Sequence, residues 1–193
     1  MACRNARPLL AHAHSTRVAA LCKKLGAHAK GTFQGEDFIA GLLHDVGKMV
    51  LWRQLEGEYR ELYFAAQKSG VPLHVAEREK FGFDHADVIG ALAAVWNLPD
   101  SLRLAMLYHH DAPGRDLQSA KSPRLAALLR IANAAAHDDW AGSGKDPEKL
   151  LSCADPSWQI IEGPEQRSSP VTRFAALTEF VADIDKAPAL AWA

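Results

Sequence analysis

Five histidines and one aspartate recur along the chain at positions where helices would bury them: His14, the doublet His44-Asp45, His85 and the doublet His109-His110. Imidazole and carboxylate ligands suit manganese, iron, cobalt, nickel or zinc, and the lack of cysteine among them argues against a structural thiolate site. Taken singly, a histidine on an apolar face is more often a hydrogen-bonded core residue than a ligand. Burying several imidazoles and a carboxylate without partners would cost on the order of a few kcal/mol per group, more than a marginally stable domain absorbs. A shared divalent transition metal offsets that cost through coordination. The alternative is a metal-free scaffold whose histidines hydrogen-bond one another.

The spacing of apolar residues shows which elements must carry these groups. A first helix over 8–27 has Val18, Leu21 and Leu25 on one stripe, with His14 four residues before Val18 on the same side. A second over 36–45 places Phe38, Ile39, Leu42, Leu43 and Val46 together and ends in His44-Asp45, with Gly47 as the stop signal. Asp84 is the expected N-cap of a helix over 85–96, in which His85 opens a face continued by Val88, Ile89, Leu92 and Val95. After the Asn97-Leu98-Pro99 break, a helix over 100–110 aligns Leu102, Ala105, Met106, His109 and His110.

Further helices fall over 55–69 (Leu55, Tyr59, Leu62, Ala66), 72–80 and 123–137 (Leu125, Leu128, Leu129, Ala132, Ala136), and no stretch alternates as a strand would. The fold class is therefore an all-α bundle. From 138 to 169 the composition turns to Gly, Ser, Asp and Pro with isolated Trp140 and Trp158, an irregular excursion with one short helix near Pro147 to Leu151. Ser169-Pro170 then caps a last helix over 170–186 bearing Phe174, Leu177, Val181 and Ile184, which packs back on the bundle or joins a homodimer. The tail 188–193 is expected to fray. His12, His28, His74 and His137 fall on a polar face, at helix ends or in loops and are expected to be surface or capping residues.

At 193 residues, with 48% hydrophobic and 23% charged, the chain can bury one sizeable core, so a single domain over 1–193 is expected. No apolar run reaches about eighteen residues, and the opening Met1-Ala2-Cys3-Arg4 precedes no hydrophobic region, so neither a membrane span nor a secretory signal is supported. Cys3, Cys22 and Cys153 are odd in number and scattered, which fits a reducing cytoplasm without structural disulfides. A net charge of −1 gives no electrostatic footprint for nucleic acid.

The run Gly41-Leu42-Leu43-His44-Asp45-Val46-Gly47-Lys48 resembles the signature of the HD-domain superfamily, helical metal-dependent phosphohydrolases and their relatives. His14-Ser15, the stretch from Phe81 to Gly90, the Trp96-Asn97-Leu98-Pro99 break and Tyr108-His109-His110 are together similar to its bacterial HDOD signal-transduction branch. The resemblance covers roughly 8–137 and implies one metal at His14, His44, Asp45 and position 133. It implies a second, where present, at His85, His109 and His110 with Asp45 as the bridge, and Lys48 beside a substrate phosphate. Lys48 reads equally as a solvated lysine near a helix C-terminus.

Asn133 departs from the enzymes of the superfamily, which carry aspartate there; an amide oxygen is a neutral, weaker ligand. The chain also has Asp111-Ala112-Pro113-Gly114-Arg115 where HD-GYP phosphodiesterases carry Gly-Tyr-Pro, and Leu10 where their trimetal members carry glutamate. A full HDOD module has a further helical half ahead of the HD half, so the chain is expected to be a fragment or a reduced member. Two functions follow from the resemblance. One is a signalling or regulatory module with a His/Asp divalent-metal site, answering to a protein partner. The other is a working phosphohydrolase acting on a phosphate-containing small molecule, in which two cations sharing Asp45 would supply hydroxide near neutral pH and Lys48 a point charge. Neither needs nucleic acid or a membrane.

Overall fold

The computed structural model describes residues 6–29, 32–110, 116–136, 156–163 and 170–186. Its helices are α1 (Ala6–His28), α2 (Glu36–Leu43), α3 (Val46–Gln54), α4 (Glu56–Ser69), α5 (Leu73–Phe81), α6 (His85–Val95), α7 (Asp100–Leu107), a 3₁₀ turn (Leu117–Ser119), α8 (Pro123–Ala135), α9 (Pro156–Glu162) and α10 (Pro170–Lys186). Among the described residues there is no strand, and no helix is long and apolar enough to cross a membrane.

Helix α8 is the axis of the bundle. Leu125 through Leu129 and Ile131 through Asn133 are all buried, so this helix is covered on nearly every side, as expected of an element hydrophobic all round. Helices α1, α2, α7 and α9 pack around it, and α10 lies against α1. Val18, Leu21 and Leu25 of α1 are buried, on the stripe that the spacing assigns to the core. Tyr59 and Ala66 are the buried positions of α4, and Leu102, Ala105 and Met106 those of α7.

Several helix bounds and faces expected from the sequence need correction. The helix expected over 36–45 ends at Leu43, and a separate helix, α3, runs through Val46–Gln54, so His44-Asp45 is a joint between two helices. The buried face of α2 is Asp37, Ala40 and Gly41, while Ile39 is exposed, and Val95 at the end of α6 is exposed too. Helix α7 stops at Leu107, so His109 and His110 lie just beyond it. Within the expected irregular excursion, Pro156–Glu162 is helical and buries Trp158 and Ile161 against the core. The short helix expected near 147–151, Ser169, His137 and the tail lie outside the described residues, as do the side chains of His12 and Phe174.

Two glycines let α2 and α3 pack as closely as they do. A Cβ on Gly41 would lie 2.5 Å from the Ala19 Cα, and one on Gly47 would lie 2.0 Å from the His85 carbonyl oxygen. Gly47 therefore serves close contact between α3 and α6, not helix termination. Gly41 lets α2 ride directly on the backbone of α1, which turns the packing face away from Ile39. Because the atoms met are backbone, neither contact relaxes cheaply. Gly47→Ala is expected to lower the unfolding free energy by about 3 kcal/mol or to prevent folding. Gly57→Ala, whose Cβ would meet nothing within 4 Å in α4, should be neutral or stabilising by up to about 1 kcal/mol. Denaturant unfolding of both variants checks the contrast.

Candidate metal centre

Five chain segments deliver the polar groups. His14 comes from the middle of α1, His44-Asp45 from the α2–α3 joint, His85 from the first residue of α6, His109-His110 from the chain just after α7, and Asn133 from α8. The start of α6 is rigidly built. Asp84 accepts hydrogen bonds from the Ala86 and Asp87 backbone N–H groups at 2.9 and 3.0 Å, while the Asp87 carboxylate accepts from the Asp84 N–H at 3.0 Å, a reciprocal cap. Arg78 of α5 ties both carboxylates, at 2.8 Å to Asp84 and 2.9 Å to Asp87.

The Asp45 carboxylate lies at the centre. Its Oδ2 is 3.6 Å from His14 Nε2 and 3.4 Å from His44 Nε2, and its Oδ1 is 3.4 Å from His85 Nε2 and 3.8 Å from His109 Nε2. His110 Nε2 is 2.8 Å from His85 Nε2, and His14 Nε2–H donates to Asn133 Oδ1 at 3.0 Å. Two groups result, Asp45/His85/His109/His110 and His14/His44/Asp45, and within each the potential ligand atoms all lie within 4.8 Å of one another. The two oxygens of one carboxylate thus face two different sets of imidazoles. Lys48, 25% exposed, donates to Asp45 Oδ2 at 2.6 Å.

The tautomers are set by partners that can only accept. His44 Nδ1–H donates to the Gly41 carbonyl at 2.8 Å and His109 Nδ1–H to the Met106 carbonyl at 2.5 Å. His85 Nδ1–H donates to Glu77 Oε2 at 2.6 Å. Each bond puts the proton on Nδ1 and leaves Nε2 an acceptor beside Asp45; that of His85 takes the His110 Nε2–H at 2.8 Å. His44 Nε2, His109 Nε2 and Asp45 Oδ1 are buried there without a hydrogen-bond partner. Such acceptors side by side in a low-dielectric interior repel one another and lack solvation, and a cation placed among them would relieve both. The donor set fits a first-row ion, since bonds of about 2.0–2.2 Å suit imidazole and carboxylate.

Four residues at the site were not assigned to it from the sequence. Glu77, fully buried, holds His85, and Tyr59 donates its phenol O–H to Glu77. Arg130 donates to the carbonyls of Tyr108 and His110, both at 3.0 Å, and clamps the second doublet from α8. His74, expected as a surface or capping residue, is half-buried and stacks on His110, with ring centroids 4.2 Å apart and planes 11° from parallel. Its place beside Leu73 at the start of α5 gave no signal. His28 at the end of α1 is exposed and meets the Phe180 ring edge-on.

Burial pushes the His14 imidazole down to about 4 against the pull of Asp45. Burial also lowers His44, His85, His109 and His110. Burial alone would raise the Asp45 carboxyl, but the positive charge that His44, Lys48, His85 and His14 can place around it holds it well below its ordinary value. Since those imidazoles are neutral near pH 7, the Lys48 ammonium is the working counter-charge.

An unfolded chain takes up histidine protons near pH 6.5 and this folded chain resists them. The stability these five groups contribute is thus full above about 6.5 and is lost as the pH falls, by up to about 1.4 kcal/mol per pH unit for each. For His14 the loss levels off near its folded value of about 4. Glu77, pushed up by burial to about 7, acts oppositely between that value and its ordinary 4.5, offsetting one of the five. Metal-free protein should therefore show a steep fall in Tm from about pH 7 to about pH 5; a flat profile by calorimetry would contradict neutral burial of the histidines.

The sequence profile of the HDOD domain matches residues 7–112, a little over half of the chain. A solved HDOD domain protein of unknown function from Geobacter sulfurreducens is similar over 91% of this chain and 61% of its own, with a TM-score of 0.67 and 25% sequence identity. A protein of Shewanella amazonensis SB2B, provisionally named a phosphohydrolase, is similar in fold over 90% of this chain and 58% of its own, with a TM-score of 0.62 and 24% identity. An uncharacterized protein of Treponema pallidum (strain Nichols) is 30% identical over 78 residues, which are 40% of this chain and 15% of that protein. The chain thus spans about three fifths of the two solved chains and a far smaller share of the Treponema protein.

Proposed function

This chain belongs to the HDOD domain family, and from that premise we propose that it is a regulatory, signal-transducing module whose helical core binds one or two divalent transition metal ions. The observation that carries the metal is the trio of buried, partnerless acceptors, His44 Nε2, His109 Nε2 and Asp45 Oδ1, turned toward one another. His14, His44, Asp45 and, weakly, Asn133 would hold one ion; Asp45, His85, His109 and His110 would hold the other. Manganese, iron, nickel, cobalt and zinc all suit this donor set.

The preference for regulation over turnover rests on Asn133 and Lys48. Asn133 offers His14 an acceptor at 3.0 Å but brings no charge, so the first set carries a single anionic ligand, Asp45. Lys48 spends its ammonium on that same carboxylate, at 2.6 Å, and would have to leave it to meet a phosphate. In this reading the ligand sensed is a phosphate-containing small molecule or the metal itself, and a protein partner receives the signal. The chain acts as one domain in the cytoplasm, with 8–137 as the metal-binding core and α10 available to a homodimer, and engages neither nucleic acid nor membrane.

The alternative, a metal-dependent phosphohydrolase acting on phosphate mono- or diesters or nucleotides, is favoured by the complete second set with Lys48 close by. Ions bound there would acidify water and neutralise phosphate oxygens. Asp45 would then orient both ions and Lys48 the phosphate, as the groups carrying catalysis. Purified protein loaded with manganese, nickel or cobalt is expected to bind at least one equivalent by calorimetry and to turn over none of a panel of phosphate esters. His44→Ala should lower metal affinity at least tenfold, and Asn133→Asp should raise it. Hydrolysis that disappears in His44→Ala and grows in Asn133→Asp would decide for the enzyme.

A further inference from the structure

Glu77 is a carboxylate with no exposure to solvent, contributed by α5. Its Oε2 accepts two hydrogen bonds from one residue, the His85 backbone N–H at 2.9 Å and the His85 Nδ1–H at 2.6 Å. Its Oε1 accepts the Tyr59 phenol from α4. The Tyr59 ring is itself held between Trp52, edge-on at 6.2 Å, and Phe81, stacked at 6.5 Å, so the phenol has one direction in which to point. Burial and the charge of Glu77 push that phenol upward, which keeps it a donor. All three donors that reach Glu77 are thereby aimed, and the carboxylate is bound at both oxygens.

We propose that Glu77, with Tyr59 behind it, is the positioning pair for His85: it holds the proton on Nδ1, orients the ring, and so keeps Nε2 an acceptor beside Asp45, where in the metal-free protein it takes the His110 Nε2–H at 2.8 Å. His44 and His109 obtain the same result from backbone carbonyls, which are neutral. His85 alone of the three obtains it from a carboxylate, whose charge makes the imidazole a stronger donor to a cation. The ion gathered by Asp45, His85, His109 and His110 would therefore depend on Glu77, whereas the set of His14, His44 and Asp45 would not. The assignment rests on the metal reading above for its effect on affinity, but the tautomer it specifies belongs to the metal-free protein.

The test uses the full chain at about pH 8, above the value of about 7 to which burial pushes Glu77, with ¹⁵N-labelled histidine and cobalt(II) alone as the probe. In metal-free wild type the His85 signals should report a protonated Nδ1 and an unprotonated, hydrogen-bond-accepting Nε2. Glu77→Leu, which deletes the acceptor, should shift His85 toward the Nε2–H form. Glu77→Gln retains an acceptor without charge and should weaken cobalt binding at the His85 set about tenfold, leaving the His14–His44 set unchanged. Tyr59→Phe should weaken it less. A purely structural brace would lower Tm in these variants without moving either the tautomer or the affinity, and that result overturns the proposal.

Should Glu77→Leu fail to fold, cobalt affinity in Glu77→Gln within twofold of wild type overturns it on its own. Wild type that binds no cobalt would defeat the metal reading instead; the wild-type tautomer would then decide the positioning role, an Nε2–H form of His85 counting against it.

Discussion

The buried Asp45 carboxylate is the constraint around which the rest is arranged. Lys48 reaches one of its oxygens, and four imidazoles crowd within 3.8 Å of the two. Gathering groups from α1, the α2–α3 joint, α6 and the end of α7 around one point requires helices to approach more closely than large side chains allow. Gly41 against Ala19 and Gly47 against His85 supply that closeness. The alanine-rich run of α8 lets neighbouring helices close in on the axis in the same way.

One local device serves both backbone and site. In α2 and α7 the imidazole of a histidine turns back to the carbonyl three residues earlier, His44 to Gly41 and His109 to Met106. Such a side-chain bond competes with continuation of the helix, and both helices stop beside it, at Leu43 and Leu107. The same bond selects the tautomer. Helix termination and ligand orientation are thus one event at each doublet.

This accounts for what the sequence made legible. Stripes such as Val18, Leu21 and Leu25 repeat at the helical period over several turns, and Asp84 is a capping type followed by a new apolar face; both are local signals and both were readable. The six ligand candidates could be named because histidines and an aspartate on apolar faces are anomalous in themselves. The ends of α2 and α7 were not readable, because an apolar stripe continues past the residue at which a side chain diverts the backbone pattern. Gly47 was misread since a stop signal and a close helix contact demand the same residue type. Glu77 was invisible for a different reason: it sits among the charged residues Arg78, Glu79 and Lys80 of α5, so only the tertiary contact with His85 sets it apart from a solvated face.

Helix α8 bears on both sets of imidazoles at once. Asn133 accepts from His14, and Arg130, three residues earlier, tethers the carbonyls around His109-His110. A displacement of that axial rod would therefore move the surroundings of both sets together, and Trp158 and Ile161 of α9 are packed in the core against it.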